Sequence, residues 1–144
     1  MRVTEVVHSR LADTDEAYRQ LLESDADWFV RNADDLRALR THDKASALSR
    51  LGEEAFAQFV ASCKFGKHGI AGGDSGILAR ELGLKGALSV FHQFGASTEL
   101  ALSWQEQGCD RGTCSYSFWD FCSHTSCHRI DGGDDQGDGQ LARM

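Results

Sequence analysis

The stretch CDRGTCSYSFWDFCSHTSC, residues 109–127, places four of the chain's five cysteines within nineteen positions. Its reading decides how the C-terminal part is built. The segment is a metal-held irregular knuckle, a disulfide-bonded segment, or a set of side chains destined for further chemistry.

The spacing is Cys109-x4-Cys114-x7-Cys122-x4-Cys127, close to symmetric, with His124 inside it and His128 directly after it. A structural zinc ion takes four thiolate or imidazole ligands at about 2.3 Å, and paired ligands two to four residues apart supply a local bite from each half of the site. The preferred expectation is therefore one structural zinc ion held by Cys109, Cys114, Cys122 and Cys127, with His128 as the first substitute ligand. The commonest zinc knuckle is CxxC, so x4 at both ends is a looser match.

Two other uses of the thiols compete with metal. Four cysteines allow three pairings, and Cys109–Cys114 or Cys122–Cys127 bridges close small loops that add little by loop entropy. Such pairs suit redox-responsive thiols better than staples. The third use follows from layout: a long folded region precedes a compact segment rich in Cys, Ser, Thr and aromatics. This resembles the leader-plus-core arrangement of ribosomally made peptide precursors. The resemblance implies a modifying enzyme that binds the leader and alters side chains after about Gly108.

Dense aromatics in SYSFWDF are expected to be covered, with Tyr116, Phe118 and Phe121 docking the knuckle onto helices and Trp119 turned away. Those helices are read from apolar periodicity. One runs from about Thr14 to Val30, with Asp13 and Glu16 as a capping box. A second and clearer one runs from about Ser46 to Cys63, placing Cys63 on its apolar face. Short helices follow: from Asp74 or Ser75 to Leu82, from Leu84 to Phe94, and from Ser97 to about Gln107, closed by Gly83, Gly95 and Gly108.

FGKHGIAGGDSG, residues 65–76, holds five glycines in twelve positions and reads as a turn region or loop. Preceding a helix start, it is also a candidate anion site formed by Lys67, His68, Gly72 and Gly73, although it lacks the order of a phosphate loop. The short helices in ILARELGLKGALSVFHQFG have helix-turn-helix lengths, but Lys85, Ser89, His92 and Gln93 are few groups for reading DNA. The acidic pairs Asp34–Asp35 and Glu53–Glu54 point around a helix surface. No GxSxG, HExxH or CxxC motif occurs to carry a hydrolase, zinc-protease or thioredoxin-like chemistry.

Net charge is −7, the wrong sign for a nucleic-acid binder, whose affinity comes largely from neutralising phosphates. The excess lies at the ends: residues 131–144 alone carry four acids against one base. No apolar run reaches the roughly 18–20 residues of a membrane span, and MRVTEVVHSR lacks a secretory h-region, so a cytoplasmic setting without membrane contact is expected.

The expected architecture is all-α: a compact bundle of two longer and about three short helices with a C-terminal cysteine-rich irregular knuckle. Residues 1–108 form the helical domain, 109–130 the knuckle packed on it, and 131–144 a disordered acidic tail. The expected function is that of a non-catalytic zinc-binding interaction or regulatory protein with a protein partner. A peptide precursor served by a modifying enzyme, and a redox-responsive thiol protein, are the alternatives.

Overall fold

Helix starts in this chain are set by side chains that take up backbone amides. The computed structural model describes residues 11–66, 68–110 and 112–127. Thr14, Asn32, Asp74 and Ser97 accept from the amides of Ala17 (3.0 Å), Asp35 (2.8 Å), Ile77 (3.3 Å) and Leu100 (3.2 Å). Each satisfies a donor that a helix N-terminus leaves without a partner. They open α1 (Asp15–Glu23), α2 (Ala33–His42), α4 (Ser75–Gln93) and α5 (Thr98–Ser103). The cap of α1 is Thr14, one residue after the expected Asp13.

Both long helices expected from the sequence are shorter. α1 ends where Ser24 turns its hydroxyl back onto the Leu21 carbonyl at 2.6 Å. The chain then runs without regular structure to Arg31, whose guanidinium donates to the carbonyls of Leu22 (3.0 Å), Ser24 (2.9 Å), Ala26 (2.9 Å) and His68 (3.0 Å). The second expected helix divides at Gly52 into a 3-10 turn, Ala47–Arg50, and α3, Glu53–Ser62. A mid-helix glycine costs about 1 kcal/mol, and Ser46 offers a competing cap to the Leu48 amide.

The fold is α+β, not all-α. Among the described residues a four-stranded antiparallel sheet runs in the order β1-β2-β4-β3, formed by Lys64–Phe65, Ile70–Asp74, Thr113–Cys122 and Gln105–Asp110 respectively. A short helix α6, His124–Cys127, follows. The cysteine segment is therefore not an irregular knuckle: β3 crosses positions 108 and 109, and β4 pairs with both β2 and β3.

The glycines of IAGGD serve close packing inside a strand and not a turn or loop. A Cβ at Gly73 would lie 3.0 Å from the Phe121 ring and 3.3 Å from Cys63 Sγ; one at Gly72 would lie 2.9 Å from the Phe121 carbonyl oxygen. Glycine inside a strand marks such approaches. Against β1, Gly72 pairs with Lys64 and Ile70 with Phe65, leaving Ala71 as a one-residue bulge. Ile70 joins the main core while Ala71 packs with the cysteines.

That core is aromatic. Phe121 of β4 meets Phe91 edge-on at 4.8 Å and stacks on Trp104 at 6.3 Å, and Trp104 meets Tyr18 of α1 at 5.1 Å. Phe121 thus joins the sheet to α4, α5 and α1. The Tyr18 hydroxyl donates to the Phe94 carbonyl at 3.0 Å, and burial pushes its phenol well above the usual tyrosine range. Gly83, at φ 74°, ψ 175°, breaks the α4 run into two segments. No helix among the described residues is long and apolar enough to cross a membrane. The expected tail lies outside the described residues.

Candidate functional site

Cys109 and Cys114 face each other near the turn of the β3–β4 hairpin, where Gly112 adopts φ 80°. The pairing proceeds through Gly108 with Ser115 and Gln107 with Tyr116, then jumps to Gln105 with Phe121. Residues 117–120 are thereby looped out from β3, although Asp120 still pairs with Asp74 of β2, and Glu106 takes a left-handed φ of 61° opposite them. The strand doubles back as a result. Cys114 and Cys122 are eight residues apart, about 26 Å in an extended strand, yet their Cα atoms are 5.8 Å apart and the two are disulfide-bonded.

A second disulfide, Cys109–Cys127, ties β3 to α6 over a sequence separation of 18 with Cα atoms 5.7 Å apart. The nested pairing differs from the short-range pairs weighed from the sequence. It is set by the fold-back, which carries Cys109 over Gly72 and Cys114 over Cys122. The sulfurs of Cys109, Cys122 and Cys127 lie within 4.8 Å of one another, although they belong to two different bridges. These three cysteines are buried at 4%, 0% and 0% exposure. Lys64 donates through Nζ to the Cys109 carbonyl oxygen.

Cys63 stands apart from the four clustered cysteines. Its sulfur lies beside Gly73, which pairs with Phe121, whereas Gly72 pairs with Cys122; successive strand residues face opposite sides, so the sheet separates Cys63 from the bridges. Burial pushes its thiol up to about 12. Nor does His124 turn to the cysteines: its Nε2 is 3.0 Å from Gln107 Oε1 and its Nδ1 is 3.6 Å from Asp15 Oδ2. His128 lies outside the described residues.

The candidate anion site is dispersed. Lys67 lies outside the described residues, and the His68 carbonyl is held by Arg31. Gly72 and Gly73 line a polar cleft of about 230 Å³ beneath the hairpin, where Lys64 is accompanied by the carboxylates of Asp110 and Asp120. Asp120 accepts from the Ser117 hydroxyl. Two carboxylates against one ammonium disfavour an anion there.

An apolar groove of about 270 Å³ was not legible in the sequence. It runs between α4, α5 and the looped-out residues, lined by Leu84, Leu88, Leu102, Phe118 and Trp119. Leu84, Tyr116, Phe118 and Trp119 are between 54% and 74% exposed. The aromatic run was expected to alternate, with three rings inward; the loop-out interrupts that alternation, so only Phe121 is buried. Trp119 instead covers Gly76 at the start of α4, and Ser75 donates to its carbonyl at 3.2 Å.

The chain matches no family model, no curated protein and no solved structure.

Proposed function

We propose that this chain is a binding or regulatory domain, not a catalyst, whose C-terminal hairpin is set by the oxidation state of its cysteines. The observation that carries this reading is the Cys114–Cys122 bridge across a strand that doubles back on itself. The bridges hold a hairpin whose looped-out residues, Phe118 and Trp119, form one wall of the apolar groove. Opening them loosens that wall and changes the surface offered to a partner. A protein presenting apolar side chains is the partner this surface suits; the net charge of −7 does not favour nucleic acid.

Each bridge opens by thiol–disulfide exchange, in which two thiols of a reductant form their own disulfide and leave two cysteine thiols. In a reducing cytoplasm such bridges are transient and report redox state; in an oxidising compartment they persist. Cys63, with its thiol pushed up to about 12 by burial, is ill suited to act as a nucleophile. The precursor alternative draws less support, because a released core would remove Phe121 from the aromatic core.

Hydrogen exchange on the oxidised protein, and on protein reduced with a phosphine in the presence of a chelator, tests the reading. Amides of residues 107–120 are expected to exchange about tenfold faster or more after reduction, while those of α4 change little. Equal exchange of the hairpin in both states sinks the proposal.

A further inference from the structure

Two disulfides that act only as staples have no need to bring their sulfurs together, yet here three sulfurs from both bridges lie within 4.8 Å of one another. Cys114 Sγ is bonded to Cys122 Sγ and so lies about 2 Å from it. Four thiolates around a tetrahedral zinc ion at about 2.3 Å stand about 3.8 Å apart. The Cys109, Cys122 and Cys127 sulfurs already stand within little more than that distance of one another, and Cys114, tethered to Cys122 until its bridge opens, is the ligand that side-chain rotation must bring in to complete a four-sulfur cage. The surroundings suit such a cage. Gly72 and Ala71 present the least bulk beneath it, and the Lys64 ammonium, held at the Cys109 carbonyl, is placed to offset the negative charge of a zinc tetrathiolate. Burial excludes competing water from Cys122 and Cys127.

We infer that the reduced protein binds one zinc ion through Cys109, Cys114, Cys122 and Cys127. The inference rests on the proposed opening of the bridges. Four equivalents of a monothiol reduce the two bridges, yielding four cysteine thiols and two disulfides of the reductant. Zinc then displaces four protons, giving a site of net charge −2. Reoxidation by two equivalents of a small disulfide takes four electrons from the thiolates and releases the metal, the liberated small thiolates carrying the balancing negative charge. The hairpin is thus pinned by sulfur–sulfur bonds when oxidised and by metal when reduced, and is loose only when reduced and metal-free.

The full chain, reduced under anaerobic conditions, is titrated with Co²⁺ and then Zn²⁺. Expected are sulfur-to-cobalt charge-transfer bands and tetrahedral d–d bands that saturate at one equivalent and are abolished by one equivalent of Zn²⁺. Cys63→Ser leaves both titrations unchanged; Cys122→Ser removes one of the four thiolates, so cobalt binds more weakly and the charge-transfer intensity at saturation falls by about a quarter or more. Should Cys122→Ser fail to fold, Cys114→Ser, at a half-buried hairpin position, gives the same readout. A thiol assay made alongside separates the two claims. Five accessible thiols in denaturant without any charge-transfer band overturn the metal site and leave the opening intact. Bridges that resist reductant in the native protein overturn both. Cobalt binding of undiminished affinity and charge-transfer intensity in both Cys122→Ser and Cys114→Ser also overturns the assignment.

Discussion

Gly72 and Cys109 lie against each other where the hairpin folds over the sheet: a Cβ at Gly72 would sit 3.5 Å from Cys109 Cβ and 2.9 Å from the Phe121 carbonyl oxygen. Alanine at Gly72 would recover about 0.5–1 kcal/mol of unfolded-state entropy, but forcing apart a backbone contact costs about 1–3 kcal/mol. The clash wins. Gly72→Ala is expected to lower the denaturation midpoint. Gly73→Ala meets side-chain atoms and not backbone, the Phe121 ring at 3.0 Å and Cys63 Sγ at 3.3 Å, and should cost less than Gly72→Ala. Equal midpoints for Gly72→Ala and the parent in urea melts would contradict the fold-back.

Arg31 holds carbonyls from the α1–α2 connection and from His68, and its guanidinium lies 4.4 Å from the Phe29 ring centroid. Leaving these carbonyls unpaired costs roughly 2–3 kcal/mol. Arg31→Ala should destabilise by that amount, and Arg31→Lys should recover less than half, because a single ammonium cannot span the fork. Chemical denaturation of the three proteins checks this; full recovery by lysine would refute the role given to the fork.

Two aromatics of β4 should behave oppositely. Phe121 is fully buried among Phe91, Phe94 and Trp104, so Phe121→Ala is expected to cost about 3–5 kcal/mol. Phe118, 54% exposed, faces the groove, and Phe118→Ser should stay within about 0.5 kcal/mol of the parent while weakening any partner that uses the groove. Thermal unfolding distinguishes the two substitutions directly.

Cys63 has its thiol raised from 9.0 to about 12 by burial. The folded state therefore holds the proton through a range in which the unfolded chain releases it. The stability linked to this group is present below about pH 9 and is lost as pH rises toward about 12. Brief iodoacetamide pulses should label Cys63 slowly in the native protein at pH 9 and rapidly in denaturant. A native labelling rate that already levels off near pH 9 would show the thiol to be exposed.

The helix starts were legible because capping is local: Asp74 and Ser97 announce α4 and α5 within three residues of themselves. Strands were hidden because their causes are distant. Gly72 and Gly73 read as loop residues until Phe121, Cys109 and Cys63 stand against them. In SYSFWDF the alternation suggested three buried rings, but residues 117–120 leave the β3–β4 ladder and only Phe121 enters the core. The cysteine cluster was conspicuous in the sequence, whereas its nested pairing depends on a doubling-back for which residues 105–122 carry no local signal.

The strand order has a consequence for how the chain is made. β4 pairs with β2 on one side and β3 on the other, and it is the last of the four strands to leave the ribosome. Until Phe121 emerges, the helices synthesised before it lack the ring that unites them, and β2 lacks its inner neighbour. The sheet is therefore completed only after β4 has been made, and an oxidase or a metal that acts on the cysteines meets a chain in which α1 to α5 have already been synthesised.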